Sequence, residues 1–234
     1  MEVVVLGDPA AVARRVAALV AEAIDAAGSA SGRATVALSG GSSPWPMIDE
    51  LTSYPLPWSA LDVVQVDERV ASRDSDARNR TRLDRHLAPA RRAGARFHPM
   101  PVDDPDPARL EAGAREYGRL VARLAGEPPV LDVVHLGLGP DGHVASLFPD
   151  DPALDAGAHT VAVTDEHLGY RRMTLTASVL SGARRVVWLV VGDAPSSAVR
   201  RLVAADPAIP ASLVARGAGD RAILVCDRAA AKEL

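Results

Sequence analysis

Short apolar runs rich in β-branched residues alternate with longer amphipathic segments along most of this chain. Apolar side chains in the longer segments recur about every 3.6 residues, which predicts helices, including 10–27, 76–87 and 108–124. The shorter runs predict strands at 3–6, 34–38, 61–66, 95–98, 133–136, 160–163, 172–176, 185–191 and 222–226. Such alternation implies right-handed crossovers and an open, mostly parallel, doubly wound α/β sheet. No linker or repeat divides residues 1–234, so we expect one domain.

Composition limits the classes of partner. With 234 residues, of which 48% are hydrophobic, the chain can bury a continuous core. Twenty-six basic against 30 acidic side chains leave a net charge of -4, so we expect no general attraction to nucleic acid or to anionic membranes. An anionic ligand would need a local positive pocket.

A single cysteine, Cys226, excludes an internal disulfide framework and most structural zinc sites. No pair of histidines has zinc-ligand spacing with a third ligand, so we predict no metal. The first ten residues lack a basic leader, and no apolar run is long enough to span a membrane. We therefore expect a cytoplasmic protein that does not bind membranes.

The segment SGGSSP, residues 39–44, joins a predicted strand directly to a helix. Gly40 and Gly41 expose backbone N–H groups, Ser42 and Ser43 add hydroxyls, and a helix N-terminus favours anions. This pattern predicts a phosphate-binding loop, although an ordinary tight turn would look similar. It is not a Walker A loop, because no Gly-Lys-Ser/Thr follows.

Polar residues also follow two other predicted strands. Asp67, Glu68 and Arg69 come after the strand at 61–66, and a glycine-rich loop with His143 follows the strand at 133–136. Charged residues at a strand end are often merely solvated. However, parallel strands end at one edge of a sheet, so these loops should converge with 39–44 on one crevice.

The segment GLGPDG, residues 137–142, matches the G-x-G-x-x-G dinucleotide fingerprint, with Asp165 about 20 residues beyond it. That fingerprint needs a long following helix to hold the pyrophosphate. Here Pro149 follows soon after, and 150–157 has loop composition. We therefore interpret the segment as a catalytic loop and not as a nicotinamide or flavin site.

Among the histidines, only His143 lies in a glycine-lined loop. Imidazole commonly titrates at about pH 6.5, which suits a general base. We expect His135, within an apolar strand, to be a core residue bonded to a backbone carbonyl. The others have no partner pattern and are interpreted as surface residues: His86, His98, His159 and His167.

With these loops identified, nearly the whole chain resembles the 6-phosphogluconolactonases, within the wider family that includes glucosamine-6-phosphate deaminase. The motifs are LSGGSSP (38–44), VDER (66–69) with Asn79 downstream, LGLGPDGHVASLFP (136–149), RMTLT (172–176), IPASL (209–213) and DRAA (227–230). The resemblance implies a Rossmann-like sheet of the deaminase and ribose-5-phosphate isomerase type. It also implies hydrolysis of 6-phospho-D-glucono-1,5-lactone to 6-phosphogluconate, without a cofactor, by a monomer.

The resemblance also implies roles for individual residues. His143 would be the general base that activates water, and Asp141 or Asp67 would orient its imidazole. Arg69 would polarise the lactone carbonyl or contact the phosphate. The remaining predicted site residues would bind the phosphorylated substrate: Gly40, Gly41, Ser42, Arg78, Asn79 and Arg172.

This chain departs from the family pattern at the phosphate site. The family has a lysine three residues after the glycine that ends the late strand. In this chain that glycine is Gly192, and the residue three positions after it is Pro195. The candidate replacements are Arg78, Arg171, Arg172, Arg200 and Arg201. Two alternatives stay open: an amino-sugar-phosphate deaminase or isomerase, and a sugar-phosphate binder without catalysis.

Overall fold

The fold is described from a computed structural model of residues 1–157 and 159–234. Its strands are β1 (Glu2–Leu6), β2 (Ala34–Leu38), β3 (Leu61–Gln65), β4 (Asp67–Arg69), β5 (Arg96–His98), β6 (Val133–Leu136), β7 (Val161–Val163), β8 (Arg172–Leu175), β9 (Arg185–Val190) and β10 (Ala222–Asp227). Its helices are α1 (Pro9–Ser31), α2 (Trp45–Leu51), α3 (Asn79–His86), α4 (Ala88–Arg92), α5 (Pro107–Ala125), α6 (Ala177–Gly182), α7 (Ser196–Val203) and α8 (Pro210–Ala218).

A parallel sheet forms the centre of the protein. Within the described residues it has seven strands in the order β1-β10-β9-β6-β2-β3-β5. From β2 the chain continues through β3 to β5 at one edge, and from β6 it continues through β9 to β10 in the opposite direction. Strand order therefore reverses between β2 and β6, which is where open α/β sheets place their ligand crevice.

Helices cover both faces of this sheet, which confirms the doubly wound class. Successive side chains of a strand point to opposite faces. In β6, Val133 packs in the core that contains α1 and α2, whereas Val134 and Leu136 pack in the core that contains α5 and α8. Among the described residues, no helix is long and apolar enough to cross a membrane.

A second, smaller sheet was not predicted. The segment Asp67–Arg69 is not a free strand end but strand β4, which pairs antiparallel with β8, and β8 pairs antiparallel with β7. The chain leaves the main sheet at Val66, whose N–H donates to Leu38 O and whose carbonyl accepts from Leu175 N. Long-range pairing thus places the acidic and basic residues of β4 over the crevice.

Several predicted boundaries were wrong. Helix α1 continues through Gly28 as far as Ser31, because the left-handed residue that ends it is Gly32 (φ +73°). The predicted helix 76–87 begins only at Asn79. After Asp227 the chain forms a series of turns, in which Asp227 accepts a hydrogen bond from Ala230 N at 2.8 Å.

Candidate active site

A cavity of about 470 Å³ lies at the carboxyl ends of the central strands. Every predicted site residue except Asp141 lines it: Gly40, Gly41, Ser42, Asp67, Arg69, Arg78, Asn79, His143 and Arg172. The three loops predicted to converge therefore do so. Their convergence follows from parallel strand order, since β2, β3 and β6 all end at this edge.

The loop after β2 is shaped by its glycines and by Asn79. A Cβ on Gly40 would lie 2.1 Å from Asn79 Oδ1, so only glycine allows this close approach. Gly41 has φ +108°, which side-chain-bearing residues rarely adopt. The following helix α2 has only seven residues and carries Pro46 in its first turn, so its dipole adds less to anion binding than the sequence suggested.

Asp67 is buried beside the loop of residues 137–149. Its Oδ2 accepts a 2.6 Å hydrogen bond from Ser146 Oγ, and its Oδ1 accepts one of 3.3 Å from Asn79 Nδ2. Burial raises the pKa of this carboxyl above its ordinary value, although the Ser146 hydrogen bond opposes the shift. Asp67 is thus a cavity residue whose hydrogen bonds go to Ser146 and Asn79, not to His143.

Glu68, which sequence reasoning gave no role, organises the neighbouring helix. Its carboxylate is fully buried and accepts hydrogen bonds of 2.8 Å each from the backbone N–H groups of Asn79 and Arg80. Glu68 therefore caps α3, which explains why the helix starts at Asn79. No local pattern could reveal this, because the cap lies 11 residues upstream.

Arg78 lines the cavity, but most of its guanidinium serves the fold. Its Nε lies 3.4 Å from Glu68 Oε2, and its Nη1 donates to Asp103 Oδ1 at 3.0 Å and to Ala71 O at 3.1 Å. Two carboxylates therefore already compensate its charge. Nη2 has no partner among the described residues.

His143 and Asp141 form a hydrogen-bonded pair at the mouth of the loop. His143 Nδ1 lies 2.6 Å from Asp141 Oδ1, which also accepts from His143 N at 3.1 Å. Partial burial alone would raise the pKa of Asp141, but these hydrogen bonds and the nearby imidazole hold it below the ordinary value. Asp141, and not Asp67, therefore orients the imidazole.

Gly139 makes this pair possible. A Cβ at this position would lie 2.1 Å from His143 Nδ1 and 2.7 Å from Asp141 Oδ1. The glycine thus leaves room for a side-chain pair where a dinucleotide fingerprint would leave room for a pyrophosphate. No α-helix follows the loop between 143 and 157, which agrees with the rejection of that fingerprint.

Aromatic packing supports the imidazole from its other side. The His143 and Phe148 ring centroids are 4.5 Å apart, and the Phe148 and His167 centroids are 4.2 Å apart. His167, expected to be a surface residue without a partner, bonds Asp151 through Nε2 at 2.6 Å. The expectation was wrong, because the partner Asp151 lies 16 residues away along the chain and no local pattern reveals the pair.

Two arginines stand side by side in the second sheet. Arg69 in β4 and Arg172 in β8 are directly opposed. Arg172 is 4% exposed, its Nη2 donates to His167 O at 3.2 Å, and its Cζ lies 5.1 Å from the Phe148 ring centroid. Burial, and then the charge of Arg69, lower the pKa of Arg172.

His135 does not form the predicted carbonyl hydrogen bond. It is 1% exposed and lines the cavity, yet neither ring nitrogen has a partner among the described residues. Two other histidines expected to lack partners have them: His86 bonds Asp49 at 2.6 Å, and His98 bonds Asp62 at 2.8 Å.

The structure reduces the number of arginines that could replace the family lysine. Pro195 does line the cavity. Arg200 pairs with Glu233 at 3.4 Å and Arg201 pairs with Asp206 at 2.7 Å. Neither arginine lines the cavity. Arg82, which sequence reasoning missed, lies in the cavity wall with its Cζ 5.6 Å from the Trp45 ring centroid. Its position three residues after Asn79, on the same side of a helix, could have suggested it.

Comparison with known proteins agrees with the motifs. Residues 7–223 match the sequence model of the family described as glucosamine-6-phosphate isomerases/6-phosphogluconolactonase. The chain is 38% identical over 183 residues to the 6-phosphogluconolactonase of Synechocystis, covering 75% of each protein. It is 36% identical over 230 residues to that of Mycobacterium tuberculosis, covering 91% of this chain and 90% of the relative.

A solved structure of 6-phosphogluconolactonase from Trypanosoma brucei superposes with a TM-score of 0.86 at 27% identity, covering 100% of this chain and 98% of the other. Fold, motifs and sequence similarity agree over most of the length. The chain therefore belongs to the glucosamine-6-phosphate isomerase/6-phosphogluconolactonase family.

Proposed function

We propose that this protein hydrolyses 6-phospho-D-glucono-1,5-lactone to 6-phosphogluconate, a step of the oxidative pentose phosphate pathway. The observation that supports this best is the 2.6 Å pair of His143 Nδ1 and Asp141 Oδ1 at a cavity that also holds arginines. The relatives carry the name of this activity. The cavity volume of about 470 Å³ is within the range of small-molecule sites.

In this mechanism His143 acts as a general base. Asp141 accepts a hydrogen bond from Nδ1–H, so Nε2 is left to take a proton from water as the water oxygen forms a bond to the lactone carbonyl carbon. The tetrahedral intermediate then collapses with cleavage of the bond to the ring oxygen. The protonated imidazole returns its proton to that leaving oxygen, which becomes the hydroxyl of the open acid.

The arginines supply positive charge where the reaction and the substrate are negative. Arg69 stabilises the carbonyl oxygen as it gains charge or contacts the phosphate. Arg172 binds the phosphate with the backbone of Gly40 and Gly41 and the hydroxyl of Ser42. Fixed donors of this kind need no reorganisation during the reaction.

Arg82 takes the place of the family lysine in this proposal. Arg82 lines the cavity and lies close to Trp45, which is the residue directly after the 39–44 loop. No carboxylate pairs with Arg82 among the described residues. Arg78 stays with Glu68 and Asp103, and Asn79 positions Asp67 and the loop. The arginine guanidinium offers phosphate a planar fork of N–H donors, so it supplies the positive charge of a lysine with a different hydrogen-bond geometry.

The direct test is the loss of freshly generated 6-phosphogluconolactone, corrected for spontaneous hydrolysis. The wild-type protein should accelerate it, and His143→Ala should lower kcat by about 10²- to 10⁴-fold. His159→Ala, at an exposed histidine that does not line this cavity, is the matched control and should keep wild-type activity. Equal rates for wild type and His143→Ala would contradict the proposal.

An amino-sugar-phosphate deaminase or isomerase is the second candidate. It needs a further acid–base group near the sugar's second carbon, and the buried Asp67 in the same cavity is such a group. Ammonia release from glucosamine 6-phosphate would reveal this activity. We expect none, whereas stabilisation by 6-phosphogluconate without turnover of either substrate would favour the binder without catalysis.

We further propose that residues 1–234 act as one domain and as a cytoplasmic monomer. The predicted site residues lie on segments of this chain that meet at one edge of its own sheet, which supports a site complete within one copy. Light scattering at the concentrations used for kinetics should give the mass of one chain, 24.5 kDa. A dimer that dissociates together with loss of activity would contradict this.

A further inference from the structure

We propose that His135 binds the phosphate end of the substrate from the floor of the cavity, as a neutral hydrogen-bond donor. This inference rests on the proposed sugar-phosphate substrate. It concerns a residue for which neither the sequence pattern nor the resemblance suggested a role in binding.

The position of His135 brings it close to the 39–44 loop. In the parallel pair of β2 and β6, Ala37 is opposite Val134, so His135 lies beside Leu38, the residue just before Ser39. Neighbouring strands are about 4.8 Å apart. The side chain of His135 points to the same face of the sheet as that of Val133, and that face holds α2, which follows the loop.

The neighbours of His135 on this face of the sheet are apolar, with Val187 of β9 directly opposite it and Leu38 of β2 on its other side. Leu189 and Val191, from the adjacent part of the sheet, line the same floor, and Ser39 and Gly40 lie at its edge. An aliphatic residue would suit such a strand position. A histidine here needs a polar partner, because a buried polar group without one is unfavourable.

That partner is missing from the part of the protein that the structure describes. Neither Nδ1 nor Nε2 of His135 has a hydrogen-bond partner among the residues described, although the residue is 1% exposed. Buried polar side chains are nearly always paired. Both nitrogens are closed to solvent in the free protein, and His135 lines the cavity, so a small rotation of the ring would bring one nitrogen to a molecule bound there.

The chemistry of the ring indicates what it binds. Burial lowers the pKa of His135 to about 3, so at neutral pH the ring has one N–H donor and one acceptor. A neutral donor can contact a phosphate oxygen directly or through one ordered water molecule. The neutral ring adds specificity for the phosphorylated sugar without adding a further positive charge next to the arginines.

His135→Leu tests this inference, with inorganic phosphate, 6-phosphogluconate and unphosphorylated gluconate as probes. We expect the affinity for phosphate and 6-phosphogluconate to fall about tenfold, KM for the lactone to rise similarly, and kcat to stay within about twofold. The affinity for gluconate should not change. The thermal midpoint of the free protein should be equal or higher, because the unpaired polar group has been removed.

His135→Asn keeps a donor and an acceptor and should recover part of the lost affinity. If His135→Leu does not fold, His135→Phe, which keeps the ring without a donor, takes its place. His159→Leu serves as the matched control outside the cavity. Wild-type affinity for phosphate and 6-phosphogluconate in folded His135→Leu, or in folded His135→Phe where the leucine variant does not fold, would overturn the inference.

Binding and turnover separate this inference from the proposed function. If lactone hydrolysis is absent while 6-phosphogluconate binding depends on His135, the proposed function fails and the phosphate contact stands. If hydrolysis depends on His143 while binding does not depend on His135, the proposed function stands and the contact is wrong.

Discussion

Arg69 and Arg172 face each other directly across the antiparallel strands β4 and β8. Like charges in opposed positions of a sheet are destabilising. Here the pair stands at the cavity, beside the buried Asp67, and the charge of Arg69 contributes to the lowered pKa of Arg172. Such a pair is expected where a bound anion relieves the repulsion.

Arg172→Met should therefore weaken binding more than it weakens the fold. We expect KM for the lactone to rise about 10- to 100-fold, since a hydrogen bond to a charged group contributes about 1.5–3 kcal/mol. The thermal midpoint should fall little, because repulsion with Arg69 is removed. The matched control is Arg171→Met, whose side chain contacts Thr164 O and does not line the cavity. Equal KM values for both variants would contradict the role of Arg172.

Asp67→Asn should separate stability from activity. Burial raises the pKa of Asp67 in the folded state, so folding favours the protonated carboxyl. The contribution of Asp67 to stability is therefore fully present below the unfolded pKa, near 3.8, and is lost as pH rises through the folded value. At pH 7 to 8 the variant should therefore unfold at the same temperature as the wild type or higher, while its activity falls. Near pH 3.8 any advantage should disappear.

Thermal unfolding at several pH values checks this prediction. Asp25→Asn, at an exposed position on α1, changes the net charge equally and should not show the same pH dependence. A wild-type protein that gains stability over Asp67→Asn as pH rises would show that the ionised carboxylate is favoured by the fold.

Gly139→Ala should displace the pair of His143 and Asp141 without filling the cavity. The added Cβ would lie 2.1 Å from His143 Nδ1, so the imidazole or the loop must shift. A displacement of about 1 Å can reduce the rate about 10²-fold, so we expect a loss in kcat with little change in KM. At Gly182 a Cβ would meet nothing within 4 Å, and Gly182→Ala should keep the wild-type kcat.

Arg82→Ala tests the replacement of the family lysine. KM for 6-phosphogluconolactone should rise at least about tenfold, whereas kcat/KM for unphosphorylated gluconolactone should not change. Arg85→Ala removes the same charge from an exposed position of the same helix outside the cavity and is the control. If both variants raise KM equally, the effect comes from net charge and not from a contact of Arg82.

Much of the site could be predicted because its signals are local. Glycines followed by a helix in 39–44, and the Asp141-Gly142-His143 step, are readable from adjacent letters. Parallel strand order then brings the loops together, since strands connected by helices must end at one edge. This explains why nine of the ten predicted residues line one cavity.

Other features depend on contacts between distant segments. Glu68 caps α3 from 11 residues upstream and also pairs with the buried Arg78. Arg82 of the same helix lines the cavity. Asp67 and Ser146, 79 residues apart, meet through a 2.6 Å hydrogen bond. Neither relationship has a local pattern.

The sequence by itself determined the fold class, the family, and the loops that hold the candidate chemistry, because hydrophobic periodicity and glycine spacing act over a few residues. Only the tertiary structure decided that Asp67 bonds Ser146 and leaves the His143 imidazole to Asp141, that β4 and β8 oppose two arginines, and that His135 lies on the cavity floor without a ring partner among the described residues. Hydrogen-bond partners and burial arise when segments far apart in the chain pack together, so residue order alone does not specify them.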